Sequence, residues 1–406
     1  MSRHVRVAPD ASGSVVAIAL CGFCAMLNLH APQPILPLLS EAFSVSPTYA
    51  ALTITVGALA VGLVAPFAGA FSDARGRKPV IVAASFGIAL PTLACALAPN
   101  FGTLLAFRLL QGLFIPAVFT AILAYIAEEW DVGRRGRITS IYVTANVAGG
   151  FSGRFVAGVA ADLGDWRLSF VALGMIALAG AVAIWWLLPP SRHFASPVAQ
   201  RNTFAQLAGH LGNRNIFATC LVGLGIMFAF TGLMTYVAFY LRSAPFNLGP
   251  AELGAVFLTY VIASFSTPFA GPLIDRLGAK LMLVCAATTM AIGSLLTSVP
   301  LLVVVLPGLV LCCAGMFTAQ ASCMLYTTRS VTTGRSAAVG LYLAFYYAGA
   351  AFGATIPGFA FDRGGWIACA TLASSVAVIS AITARLLWRD DPSPAASQSI
   401  RPPPAP

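Results

Sequence analysis

Apolar residues gather along the chain into twelve long runs, at approximately 14–36, 48–71, 79–98, 101–126, 138–162, 167–189, 215–241, 250–273, 280–299, 301–326, 335–361 and 365–387. About 20 such residues carry a helix across a hydrocarbon core of ~30 Å. No water reaches the middle of a bilayer, so each crossing must satisfy its own backbone, and a single run of this length does so only as an α-helix. Charged or Pro/Gly-rich turns separate the runs, as at Ser72–Lys78 and Ala98-Pro99-Asn100; the breaks between runs 9 and 10 and between 11 and 12 are the least marked. The pattern predicts an all-α integral membrane protein of twelve spans, with both termini on one side.

Composition narrows the class further. Hydrophobic residues make up 59% of the 406 positions and charged residues 9%, with a mean hydropathy of +0.87. A soluble domain needs about 25% charged residues to clothe its surface, so a soluble enzyme, a secreted disulfide scaffold and a disordered chain are excluded. All nine cysteines fall within predicted spans. Cys21 and Cys24 have CxxC spacing, but at lipid depth they read as small packing residues rather than metal or redox ligands. No cofactor and no metal are expected.

Charge placement gives the orientation. Of 23 Lys and Arg, 18 lie in the N-terminus, the even-numbered loops and the C-terminus; the odd loops hold only Arg167, Arg242 and Arg363. Cationic loops stay in the cytoplasm, so both termini are expected there. The net charge of +10 is then a topology signal, and nucleic acid is not an expected partner. Residues 1–13 are expected to be a cytoplasmic N-terminus ahead of an uncleaved first helix, and 388–406, rich in Pro, Ser and Ala, a disordered cytoplasmic tail.

The chain repeats itself. Gly69, Asp73 and Gly76 recur as Gly271, Asp275 and Gly278; Gly149, Gly153, Gly158, Asp162 and Trp166 recur as Gly349, Gly353, Gly358, Asp362 and Trp366. Both offsets are close to half the chain length. The expected organisation is a six-helix bundle at 14–189, a cytoplasmic linker at 190–214 and a second bundle at 215–387. Parallel six-helix halves with a binding site between them are a recurrent transporter architecture.

These residues carry a resemblance. Gly69-Ala-Phe-Ser-Asp73-Ala-Arg75-Gly76-Arg77-Lys78 resembles the loop 2–3 signature of the major facilitator superfamily, and Arg108-Leu-Leu-Gln111-Gly112 its span 4 motif. The run from Gly149 through Gly153-Arg154 to Gly158 sits where the drug:proton antiporter branch has its span 5 motif, and with the following Asp-x-Gly-x-Trp-Arg is similar to bacterial sugar-efflux permeases of the arabinose-efflux type. The resemblance implies two pseudo-symmetric six-helix bundles in the bacterial inner membrane, exporting a drug-like compound or a sugar by alternating access, in exchange for protons. A proton-coupled importer or a uniporter is the alternative, and a channel or receptor the alternative of a different class. Expected partners are the small-molecule substrate, protons and the lipid bilayer, with the chain as a monomer. No nucleotide-binding loop, HExxH or nucleophile elbow is present, so no enzymatic activity is expected.

In the loop 2–3 segment, Gly69 is expected to let helices approach and Gly76 to form a tight turn. Arg75, Arg77 and Lys78 can pair with acids such as Glu128 and Glu129 at the end of span 4. The resemblance implies that Asp73 latches the two halves near the start of span 11, close to Arg335, when the protein faces outward. Arg108 and Arg154 are charges at membrane depth without an acid nearby. Such charges face a watery cavity or a partner, here an anionic substrate, a helix C-terminus, or backbone carbonyls and Gln111. The resemblance makes Arg108 cavity-facing. His30, beside Asn28 and Gln33, is the side chain best suited to coupling, against a bonded structural role for it, and Asp73 with its loop cations is the alternative proton-sensitive site. Asn28, Gln33, Gln111, Tyr142, Asn146, Tyr236, Tyr240, Tyr260, Gln320, Tyr342 and Tyr346 are divided between cavity wall and helix packing. Gly149/Gly153 and Gly349/Gly353 are expected to pack spans 5 and 11 against helices of the opposite half.

Overall fold

The computed structural model of the chain describes residues 11–191, 209–331 and 334–388, without the side chains of residues 11, 12, 70, 335 and 336. Most of the expected linker, the first ten residues and the tail after Trp388 therefore lie outside the described residues.

Spans 2 to 7, 9 and 10 form at Leu52–Arg75, Arg77–Ala96, Phe101–Glu129, Val132–Leu163, Trp166–Leu187, Arg214–Arg242, Ala279–Leu296 and Leu302–Arg329. Span 1 is interrupted. A helix over Ala11–Leu29 gives way to a 3-10 turn at Gln33–Ile35, and a further helix over Leu36–Phe43 completes the crossing. Pro32 and Pro34 are the cause, because neither has an N–H to continue the ladder. Span 8 is three segments, Pro250–Val256, Leu258–Ser264 and Thr267–Leu277, with a 42° bend before the last. Spans 11 and 12 run as one helix, Arg335–Leu387, broken at Gly365 (φ 64°, ψ −156°). At 1.5 Å per residue its 53 residues would extend roughly 80 Å. That is more than twice a hydrocarbon core, so the break separates two crossings.

Among the described residues, nine helices are long and apolar enough to cross a membrane, and the bent pair of span 8 makes a tenth. Gly365 divides the longest of them. Span 5 is not among them; it is a 32-residue helix all the same, with Arg134, Arg135 and Arg137 in its first turns and Arg154 further along. The architecture is thus twelve helical passages in two pseudo-symmetric halves.

The duplication reappears as a repeated contact. A Cβ on Gly149 would overlap the Phe23 carbonyl and one on Gly153 the Leu27 carbonyl, both on span 1. Gly349 and Gly353 stand in the same relation to Leu224 and Phe228 on span 7. These GxxxG pairs therefore join spans 5 and 1, and spans 11 and 7, each within one half, which corrects the expectation that they meet the opposite half. Small residues let two backbones touch, the strongest packing available where lipid removes the hydrophobic drive. The next glycine of each run does reach across: Gly158 abuts Pro250 and Gly254 of span 8, and Gly358 abuts Thr48 ahead of span 2 as well as Tyr236 of span 7.

The halves meet unevenly. Call the side bearing Arg75, Arg77, Lys78 and the even loops the basic face, and its opposite the far face. At the far face Thr48 Oγ1 donates to Asp362 Oδ2 (2.7 Å), and deeper in, the Thr55 and Thr355 hydroxyls lie 2.6 Å apart. Spans 2 and 11 remain in touch as far as Pro66 and Gly340. Spans 5 and 8 touch from Gly158 only to Gly150, which approaches Tyr260. Beyond Tyr260 the bend carries Thr267–Leu277 towards spans 9 and 10 and away from span 5. Among the described residues, none lies within 4 Å of a Cβ placed on Gly69 or Gly271. The halves are joined at the far face and along spans 2 and 11 as far as Pro66 and Gly340, and part between spans 5 and 8 beyond Tyr260.

Candidate functional site

Three groups of sequence-selected residues occupy three levels of the molecule. The first is the turn between spans 2 and 3. Gly76 adopts φ 88°, ψ 153°, as its counterpart Gly278 does at φ 84°, ψ 149°. Only glycine takes this conformation without strain, and it reverses the chain between helices in a single residue. Arg77 then lies 4% exposed at the start of span 3. Its Nη1 donates to Asp73 Oδ1 in a short ion pair and to Ser72 Oγ (2.9 Å), while Nε and Nη2 form a fork on Glu128 at 3.1 and 2.5 Å.

The second half rebuilds this joint with the charges rearranged: Arg329, at the end of span 10, donates to Asp275 at 2.8 Å. In both halves an aspartate at the end of span 2 or 8 is thereby tied to the last turn of span 4 or 10. Arg75 instead lies over the Phe71 ring at 4.3 Å. Asp73 is held within its own half here, and the Arg335 side chain lies outside the described residues. Gly69, expected to bring helices together, has no atom of the described residues within 4 Å of a Cβ placed on it.

The second level is Arg108, which is 1% exposed. Its Nε donates to the Thr53 carbonyl (3.1 Å), Nη1 to the Asn28 carbonyl (2.9 Å) and Nη2 to the Leu29 carbonyl (2.7 Å). Nη1 also makes a short bond to Gln111 Oε1, and Gln111 passes a short bond on to Thr92. The break in span 1 explains the geometry. The Asn28 carbonyl would have bonded the N–H at position 32, which proline lacks, and Gln33 N–H turns to His30 instead of Leu29. Arg108 thus caps a helix end created by Pro32. It sits inside the first half, not on a cavity wall, which corrects what the resemblance implied. The negative end of a helix is a favourable place for a cation.

The third level is the seam between the halves. Arg154 of span 5 is 3% exposed. Its Nε donates to Gln33 Oε1 and its Nη1 to the Gly150 carbonyl, both at 2.7 Å. The guanidinium carbon lies 4.9 Å from the Phe257 ring centre and 5.4 Å from that of Tyr260, both on span 8. Gln33 Nε2 reaches Thr235 of span 7 at 3.4 Å. Tyr260 packs on Phe317 with centroids 4.8 Å apart, and Tyr346 lies 5.5 Å from Tyr347. Among the described residues, His30 Nε2 and Asn146 Oδ1 are buried without a hydrogen-bond partner, as is Thr231 Oγ1.

The remaining polar residues are divided. Asn28 bonds its own helix and Thr92. Tyr236 donates to the Ala354 carbonyl at 2.8 Å, and Tyr240 stacks on Trp366 at 4.8 Å. A separate cavity of about 760 Å³ opens between spans 8 and 10, lined by Leu248, Val256, Leu302 and Leu306 among others, but by none of His30, Arg108, Asn146 or Arg154.

Sequence reasoning did not find the bonds that close the far face. Thr48, Thr55 and Thr355 look like ordinary helix threonines. The one usable signal was Asp362, whose place in the repeat marks more than a topology charge.

Comparison with known proteins agrees with this architecture. The Major Facilitator Superfamily profile matches residues 18–244 and 243–406. The inner membrane transport protein YnfM of Escherichia coli is 29% identical over 387 residues, 95% of this chain and 92% of YnfM. The multi-drug resistance efflux pump PmrA of Streptococcus pneumoniae is 29% identical over 240 residues, 57% of each chain. The fold is similar to the crystal structure of a bacterial homolog of the human lysosomal transporter Spinster in an inward-facing, occupied conformation, with TM-score 0.74 at 17% identity, covering 98% of this chain and 100% of that one. Duplicated six-helix halves, the glycine–aspartate turn after span 2 and a profile match along nearly the whole length lead to one conclusion: the chain belongs to the Major Facilitator Superfamily of transporters.

Proposed function

We propose that this transporter exports a small organic solute, drug-like or sugar-like, from the bacterial cytoplasm by alternating access in exchange for protons. The observation that carries the reading is the uneven seam, joined at the far face and parted between spans 5 and 8 towards the basic face. Cation-rich loops favour the cytoplasm, so the basic face and both termini are taken as cytoplasmic and the conformation as inward-facing. A midplane site between parallel halves is where such proteins hold their substrate. Similarity to PmrA supports export, and similarity to YnfM supports the inner membrane. The protein is taken to work as a monomer.

Proteoliposomes with an imposed pH gradient test this directly: solute addition is expected to drive proton movement opposite to the solute. Co-directional movement would make the protein an importer, and solute flux without protons a uniporter. Either result removes the exchange claim. His30 is the proposed proton carrier, since its buried Nε2 has no hydrogen-bond partner among the described residues and an imidazole nitrogen can take up and release a proton. His30→Ala is expected to abolish gradient-driven transport while leaving solute-for-solute exchange within about twofold of the parent. Loss of both would return His30 to a structural role.

Asp73 is proposed to switch partners between states, from Arg77 in this conformation to the opposite half when the cytoplasmic side closes. Asp73→Asn is expected to slow turnover about tenfold with solute binding unchanged. Unaltered turnover would sink the latch.

A further inference from the structure

We propose that the site between the halves is built for an organic anion, an aromatic monocarboxylate whose carboxylate pairs with Arg154 and whose ring packs against the aromatic wall of span 8. This rests on the transport reading above and names the substrate class for it. Every described carboxylate lies at a span end or in a loop. The described ion pairs use Arg77, Arg167 and Arg329, so neither Arg108 nor Arg154 has an acidic partner among the described residues. Two guanidinium charges at this depth need compensation.

The two are compensated very differently. Arg108 spends its donors on three carbonyls and Gln111, closing off a broken helix end. Arg154 has protein acceptors for Nε and one Nη1 hydrogen only, and Nη2 has none among the described residues. A planar guanidinium with an open edge is shaped to take a carboxylate.

The surroundings support the same ligand. Phe257 and Tyr260 flank the guanidinium from the opposite half, and Phe317 continues the wall at 4.8 Å from Tyr260. A carboxylate here would contact groups of both halves at once, which is what a substrate must do to bias the seam. A neutral sugar would leave the charge uncompensated, and an organic cation would add to it.

The test uses the full chain in lipid nanodiscs and three matched acid–amide pairs: benzoate and benzamide, phenylacetate and phenylacetamide, 4-hydroxybenzoate and 4-hydroxybenzamide. Calorimetry at fixed ionic strength is expected to show at least one acid binding saturably, with its amide weaker by at least about tenfold. Arg154→Gln is expected to weaken the acid about 10- to 100-fold, the range of a charge-assisted hydrogen bond pair, without affecting the amide. Arg154→Lys is expected to recover part of the loss. Should the Gln variant fail to fold, the acid–amide difference in the parent and the Lys variant decides. Amides binding as well as acids, undiminished acid binding in Arg154→Gln, or no binding by any of the three acids overturns the proposal. Proton-linked transport of a neutral solute in the same preparation would overturn it while leaving the transport reading intact.

Discussion

Replacing Arg108 by Met is expected to destabilise the fold severely. The substitution nearly preserves length but removes the donors that satisfy the Thr53, Asn28 and Leu29 carbonyls and Gln111. An orphaned buried acceptor costs about 1–3 kcal/mol, so four of them are on the order of 4–12 kcal/mol before any relaxation, a large share of the ~5–15 kcal/mol that holds a typical protein folded. Thermal unfolding of purified protein should show the drop, and membrane accumulation should fall with it. Arg108→Lys should recover less than half, because an ammonium cannot reach carbonyls spread over spans 1 and 2 in the way a fork can. Pro32→Ala supplies the missing N–H opposite the Asn28 carbonyl and should partly rescue Arg108→Met. If Arg108→Met unfolds at the parent temperature and loses only transport, Arg108 belongs to the transport chemistry and the capping account fails.

Gly153→Ala carries the second large effect. Its methyl would overlap the Leu27 carbonyl, and that acceptor belongs to rigid helix backbone that cannot swing aside. Spans 1 and 5 would have to separate along their length, at a cost of about 3 kcal/mol for such overpacking. Gly69→Ala is the matched control, since nothing among the described residues lies within 4 Å of its Cβ position. Its stability should stay within about 0.5 kcal/mol of the parent. Slowed transport in Gly69→Ala with unchanged stability would place the close approach expected of Gly69 in the outward-facing state. Equal stability of Gly153→Ala and the parent would mean that spans 1 and 5 are not held by backbone contact.

Much of the fold was legible because membrane solvation leaves strong marks. Run length gave the crossings and placed the soft boundary near Gly365, whereas the break at Pro32 lies inside a run, 14–36, that reads as one unbroken span. The soft boundary between spans 11 and 12 is soft for a reason: the helix continues to within one residue of the turn, and only Gly365 leaves it. The partners of the glycines were less legible. Gly149 and Gly153 announce a close contact, but their spacing is the same whether the other helix belongs to their own half or to the opposite one. Arg108 misled for a similar reason. A buried cation near a glutamine looks like cavity chemistry until the broken end of span 1, about 80 positions earlier, is placed against it.

Local chemistry alone determined the solvent, the number of crossings, the duplication and the sidedness of the charges, because each depends on composition or on spacing along one helix. Only the tertiary structure decided which charges are already compensated. Arg108 and Arg154 are equivalent in sequence terms: a lone arginine in an apolar span. One meets three carbonyls and Gln111, the other is left with Nη2 lacking an acceptor among the described residues at the contact of spans 5 and 8, and that difference depends on residues brought together from spans 1, 2 and 8. Compensation of a buried charge acts over a few ångströms in space and leaves no periodicity in the chain, so folding had to reveal it.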